Sequence, residues 1–200
     1  MHQTITIAKR ELSGLFYSPI AYVVLGVFAL VSTLLFLMHF GPGMQADLRG
    51  ESRWIVWLMV FLVPAISMRL IAGDRRDGSL ELLMTSPIST TQIVIGKYFG
   101  AMGFVCVMLA CTAHFPAMLC WLGEPDLGVL ASCYLAILFM SASFVAVGLA
   151  ASSLTESQLV ALLVSFAVLL GFWLIGAADP QAPGALSKLL SHASLLDHME

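Results

Sequence analysis

The chain is poor in charge. Nine basic and twelve acidic side chains make up 10% of its 200 residues, against roughly 25% in an ordinary globular protein. Sixty per cent of the residues are hydrophobic and the mean hydropathy is +0.95. Too few polar groups exist to cover a water-facing surface, so lipid must serve as solvent for most of the chain. A basic stripe and aromatic–basic interleaving are both missing, which excludes nucleic-acid binding. The net charge of −3 says little about partners, because the charge is unevenly placed.

Other absences are as useful. The four cysteines, Cys106, Cys111, Cys120 and Cys133, form no CxxC pair, so there is no disulfide framework and they read as small apolar fillers. HExxH, GxSxG and a close pair of intramembrane acids are all lacking, and Glu124 and Asp126 read as the solvated cap of a short turn. A phosphate-cradling loop needs G-x-x-x-x-G-K-[ST]. The chain's Gly96-Lys97 is followed by Tyr98 and opens an apolar run, so it is not such a loop. ATP chemistry is not expected in this chain. Nor does a cleavable signal fit. The apolar run after Lys9 and Arg10 is too long and has no small-x-small site.

What is present is a series of long apolar runs. Crossing the hydrocarbon core takes about 20 apolar residues in a helix. Five stretches qualify, at about 19–40, 54–72, 93–122, 128–151 and 159–178. Pro19 suits a first helical turn, Trp54 and Trp57 suit an interface depth, and Pro116 predicts a kink in the third span. The fold class is all-α, a polytopic membrane helix bundle in a single domain. With the N-terminus in the cytoplasm, Lys9, Arg10, Arg69, Arg75, Arg76 and Lys97 lie inside, and Arg49, Arg53 and Lys188 lie outside. That bias follows the positive-inside rule.

Two S/T-x-x-E/Q patterns, Ser89–Gln92 and Thr155–Gln158, predict capping boxes at the starts of the third and fifth spans. Residues 2–18 mix apolar and charged positions, as an interfacial helix on the inner surface would. Residues 185–197 place leucines at 3–4 spacing, predicting an amphipathic helix on the outer side.

The densest charge lies between the second and third spans. GDRRDGSLELLMTSPISTT, at 73–91, puts Asp74, Arg75, Arg76, Asp77 and Glu81 within eight positions. Asp77-Gly78-Ser79 supplies a helix start with acids near its positive end. Leu80, Leu82, Leu83 and Met84 are too few to span a membrane and too apolar to face water unaided. Pro87 stops this helix. Two readings stand: it packs back on its own bundle with its charges solvated, or it is a rigid lever that needs a partner surface.

The segment from Arg69 to Ala101 resembles the permease subunit of type-2 ABC transporters, in particular the gliding-motility-associated group. The residues that carry the resemblance are Asp74, Arg76, Gly78-Ser79-Leu80-Glu81-Leu82-Leu83, Thr85-Ser86-Pro87, Gln92-Ile93-Val94 and Gly96-Lys97. Shorter similarities flank it at Lys9–Val24 and Ser152–Leu163. The group usually has an acidic pair where Gly73-Asp74 stands here, and a sixth span where five are visible, from which truncation of the chain is expected.

The resemblance implies that 78–86 is a cytoplasmic coupling helix. Gly78, Ser79, Leu80, Glu81, Leu82, Leu83, Thr85, Ser86 and Pro87 would dock an ATP-binding cassette subunit, with Asp74, Arg75, Arg76 and Lys97 as supporting charges. It implies two copies of that subunit, which would hold ATP and Mg, a second permease chain as homodimer or heterodimer, and an extracytoplasmic partner. The location implied is the bacterial inner membrane.

A competing reading is a membrane scaffold that anchors an ATPase or surface partner without transporting. Arg69 and Lys97, near cytoplasmic span ends, are expected to snorkel to headgroups as topology anchors. His39 is placed at an outer span end. Cys111, His114 and Met118 follow at 3 and 4 residues and would share one helix face. They offer a pathway lining or, as a lesser alternative, soft-metal ligands. Packing with a hydrogen-bonded histidine is the default, and no resident metal is expected.

Overall fold

A computed structural model describes residues 2–39, 49–79, 89–122 and 126–177. Among them regular structure is entirely helical: α1 (His2–Tyr17), α2 (Pro19–His39), α3 (Arg49–Ser67), α4 (Ala72–Arg76), α5 (Thr90–Cys111), α6 (His114–Leu122), α7 (Leu127–Leu154) and α8 (Gln158–Ala177). Four stretches, Pro19–Met38, Ser52–Arg76, Thr90–Trp121 and Leu127–Leu154, are long and apolar enough to cross a membrane, and a shorter apolar stretch, Gln158–Leu174, follows. Residues 80–86 of the proposed coupling helix (78–86) and all of the proposed outer helix (185–197) lie outside the described residues.

Helix boundaries follow local chemistry. Ser89 is a complete capping box: its hydroxyl accepts from the Gln92 amide, and the Gln92 side chain accepts from the Ser89 amide. Asp126 caps α7 through the Gly128 and Val129 amides. Thr155–Gln158 does not form the expected box. Thr155 is extended (φ −139, ψ 152) and ends α7, with its hydroxyl accepting from the Ser157 amide. The carbonyl of Ser157 then accepts the first bond of α8, from Ala161.

The third apolar run is interrupted before Pro116, at Thr112-Ala113. Proline has no N–H to give the carbonyl four residues back, which here belongs to Thr112. That carbonyl accepts instead from the Tyr134 hydroxyl at 2.8 Å and from the Phe115 amide at 3.0 Å. The break is thereby satisfied from α7.

α3 is the centre of the bundle. In its most apolar window 67% is buried, against 28% for α2. Met59, Val63, Phe104, Met108, Phe115 and Phe144 belong to one buried cluster joining α3, α5, α6 and α7. α3 and α7 approach closely where Ser67 meets Gly148, and a Cβ on that glycine would collide with the serine side chain. Val23, Val27, Leu30 and Leu34 of α2 and Leu163 of α8 remain exposed, as faces solvated by hydrocarbon would.

Candidate functional site

The charges gather at one end of the bundle, around the joint from which residues 80–88 depart. α3 stops at Ser67 and the chain turns through 68–71 before the short α4. A break inside a packed bundle leaves backbone groups that must find partners. Ser152, near the end of α7, supplies them with one hydroxyl. It accepts from the amides of Ile71 (3.1 Å) and Ala72 (3.0 Å) and donates to the carbonyl of Met68 (3.0 Å). Ser152 is buried.

α4 ends at Asp77, whose amide bonds the Gly73 carbonyl, and Gly78 follows at φ +69. That left-handed conformation suits glycine and ends the helix sharply. Gly78 is therefore a stop for α4, and helical geometry resumes at Ser79, whose hydroxyl donates to the Asp74 carbonyl. The expected helix start at Asp77-Gly78-Ser79 coincides with this turn, and the rest of that segment lies outside the described residues.

Lys97 is placed differently from the expected headgroup anchor. It is only 1% exposed, and its Nζ lies 2.7 Å from Asp74 Oδ2 and 3.1 Å from Glu11 Oε2. A buried ammonium is tolerable only when paired and hydrogen-bonded. Here two carboxylates from α1 and α4 supply the pairing, so one cation of α5 joins three elements. Arg69 also turns inward: its Nη1 donates to Ser18 Oγ at 2.7 Å, at the α1–α2 joint. Arg75 and Arg76 are exposed.

The third member, Glu11, escaped the sequence reading. It lies in register with Ile7 and Leu15, both buried, so it occupies the apolar face of α1. A lone acid on that face was a legible signal. The glycines opposite were another. A Cβ on Gly96 would lie 2.7 Å from the Ile7 side chain, and one on Gly100 would lie 2.7 Å from Glu11 Cβ. Gly96-x-x-x-Gly100 thus forms the groove into which α1 settles, as small residues spaced by four do between membrane helices.

The Cys111, His114 and Met118 group lies far from this charged end. The turn at 112–113 separates Cys111 from the other two, so they do not continue one regular helix. All three are exposed. His114 Nδ1 lies 2.8 Å from the Cys111 carbonyl, and Nε2 lies 3.4 Å from Thr33 Oγ1. Among the described residues no three His, Cys, Asp or Glu side chains form a metal-binding group.

Apolar helices of spanning length, with charge collected at one end, define a multi-pass membrane protein. The family model described as ABC-2 family transporter protein matches residues 5–194, and the chain belongs to that family. It is accordingly a permease, the membrane-embedded part of an ABC transporter, and the family generally works with a separate ATP-binding subunit that hydrolyses ATP. A search of curated proteins found no match.

Proposed function

We propose that this chain is the permease half of a type-2 ABC exporter, of the gliding-motility-associated group, in a bacterial inner membrane with its N-terminus in the cytoplasm. Gly78–Pro87 docks on an ATP-binding cassette subunit, two copies of which serve a pair of permease chains. ATP and Mg are held by those subunits. The substrate side is a surface polymer or extracytoplasmic partner, and the exposed side chains of His114, Cys111 and Met118 are candidate pathway residues.

The observation that carries this reading is the three-way ion cluster at the root of the docking segment. Asp74, four residues before Gly78, is held by Lys97 of α5, which is held in turn by Glu11 of α1. A force that arrives at Asp74 therefore reaches α1 and α5 through short polar contacts. Ser152 adds a second route, from the same joint into α7. Movement of the docked subunit would shift packed helices as rigid bodies.

The test is gentle extraction of the tagged chain and identification of the proteins that co-purify. Wild type should retain a P-loop ATPase, and Leu82→Ser/Leu83→Ser should lose it while inserting normally, because insertion depends on the spans. Retention of the ATPase by the double variant would defeat the docking assignment. Recovery of ATPase without any nucleotide-dependent change in water access to the bundle would favour the scaffold reading.

A further inference from the structure

We propose that a cavity of about 620 Å3 beside α4 binds the headgroup of a phosphatidylethanolamine-type lipid. The proposal rests on the membrane-spanning reading of the chain, and its test needs no ATP-binding subunit. Arg75 and Arg76 of α4 line the cavity, together with Glu156 and Ser157 of the α7–α8 turn, Gln158 and Leu159 at the start of α8, and Met68 of the α3–α4 turn.

The charges of this cavity have an unusual status. Asp74, Lys97 and Glu11 nearby satisfy one another. Among the described residues, by contrast, no ion pair engages Arg75, Arg76 or Glu156, although they share the lining of one cavity. Two guanidinium groups and a carboxylate that face the same space without meeting are complementary to a ligand carrying both signs. Planar guanidinium donors match a phosphodiester. The carboxylate matches an ammonium, provided that the ammonium still has N–H groups to donate.

The apolar lining indicates what the rest of the ligand is. Leu159 opens α8 with 72% of its surface exposed, and Met68 sits half-buried beside it. Apolar surface adjoining charges of both signs suits a headgroup whose acyl chains continue along the outside of α8, where Leu163 is also exposed. A lipid of the same leaflet meets all of these demands. A singly anionic headgroup leaves Glu156 facing negative charge, and a choline headgroup gives it no donor. A lipid seated here bridges α4 to the α7–α8 turn, where Gly73 already lies close to the Gln158 side chain.

Native mass spectrometry of the purified full chain, titrated with palmitoyl-oleoyl phosphatidylethanolamine, phosphatidylcholine or phosphatidylglycerol, tests the site. Wild type should hold the ethanolamine lipid about fivefold or more tighter than the choline lipid, the scale of one charge-assisted hydrogen bond. Glu156→Gln should erase that preference. Arg75→Gln/Arg76→Gln should weaken both lipids about tenfold or more, the scale of lost charge-assisted phosphate contacts. Lys9→Gln/Arg10→Gln, which removes the same charge from the same end, should change neither. Tightest binding of phosphatidylglycerol, or ethanolamine-lipid binding unaltered in the arginine variant, would overturn the proposal. Displacement of the lipid by millimolar soluble phosphoethanolamine would also overturn it, by assigning the cavity to a soluble ligand.

Discussion

Asp74 Oδ2 lies 2.7 Å from Nζ of Lys97, and this contact fastens the last helix before residues 80–88 to the helix that begins after them. Both ends of the proposed docking segment are thus held by the same ion pair.

Removing the shared cation should be costly. Lys97→Met leaves Glu11 and Asp74 facing one another with no counter-charge, and breaking a buried pair from one side typically costs about 3–5 kcal/mol. The unfolding midpoint in detergent should fall, and ATPase stimulation in the assembled transporter should fall with it. Lys97→Met combined with Glu11→Gln and Asp74→Asn should recover much of the stability but not the coupling. Recovery of both would mean that the cluster serves stability alone.

α1 should be released by one added side chain. Gly100→Leu forces atoms into the space held by Glu11 Cβ and the Ala8 carbonyl. Overpacking of this kind commonly costs about 1–3 kcal/mol, and here it should be met by displacement of α1. Spin labels at exposed positions on α1 and α5, read by pulsed electron resonance, should show a longer and broader distance distribution. Gly14→Leu, with open space around it, should leave the distribution unchanged.

Ser152→Ala should unsettle the α3–α4 joint without touching any charge. The amides of Ile71 and Ala72 would lose their acceptor in a buried place, at about 1–3 kcal/mol for a buried group left unsatisfied. Hydrogen exchange at residues 71–76 should quicken more than exchange in α2. Uniform acceleration across the bundle would show a general loss of stability instead.

Tyr134→Phe removes the donor to the carbonyl freed by Pro116. The loss should be about 1 kcal/mol, the usual scale for one hydrogen bond. Pro116→Ala restores an amide at the position that lacked one, so the tyrosine should then matter less. A double-mutant cycle on thermal stability would read that coupling directly.

The bundle was legible in the sequence because its signals are local. Apolar runs, Pro19 at a first turn, the Ser89 box and Asp126 before α7 each act over a few residues. Lys97 was misread for the opposite reason. Near a span end, a lysine ordinarily reaches for headgroups, and here its carboxylate partner Glu11 is 86 positions away in the chain. The glycine groove was present in the sequence as Gly96-x-x-x-Gly100, but only the fold shows which helix fills it. Thr155–Gln158 failed as a box because α8 begins only at Gln158, which leaves Thr155 too far ahead of the helix, with its hydroxyl accepting from the Ser157 amide. The interruption of the third run was foreseeable from Pro116. Its stabilisation by Tyr134 was not, since that contact joins two spans.

The groove at Gly96 and Gly100 also imposes an order on biogenesis. Residues 2–17 leave the ribosome long before the surface that receives them has been made. Until residues 96–103 follow, the first helix has no resting place on α5, and Glu11 has no cation. Chains stalled between the second and third spans therefore present an orphaned amphipathic segment, a mark by which membrane quality control can distinguish unfinished molecules from finished ones.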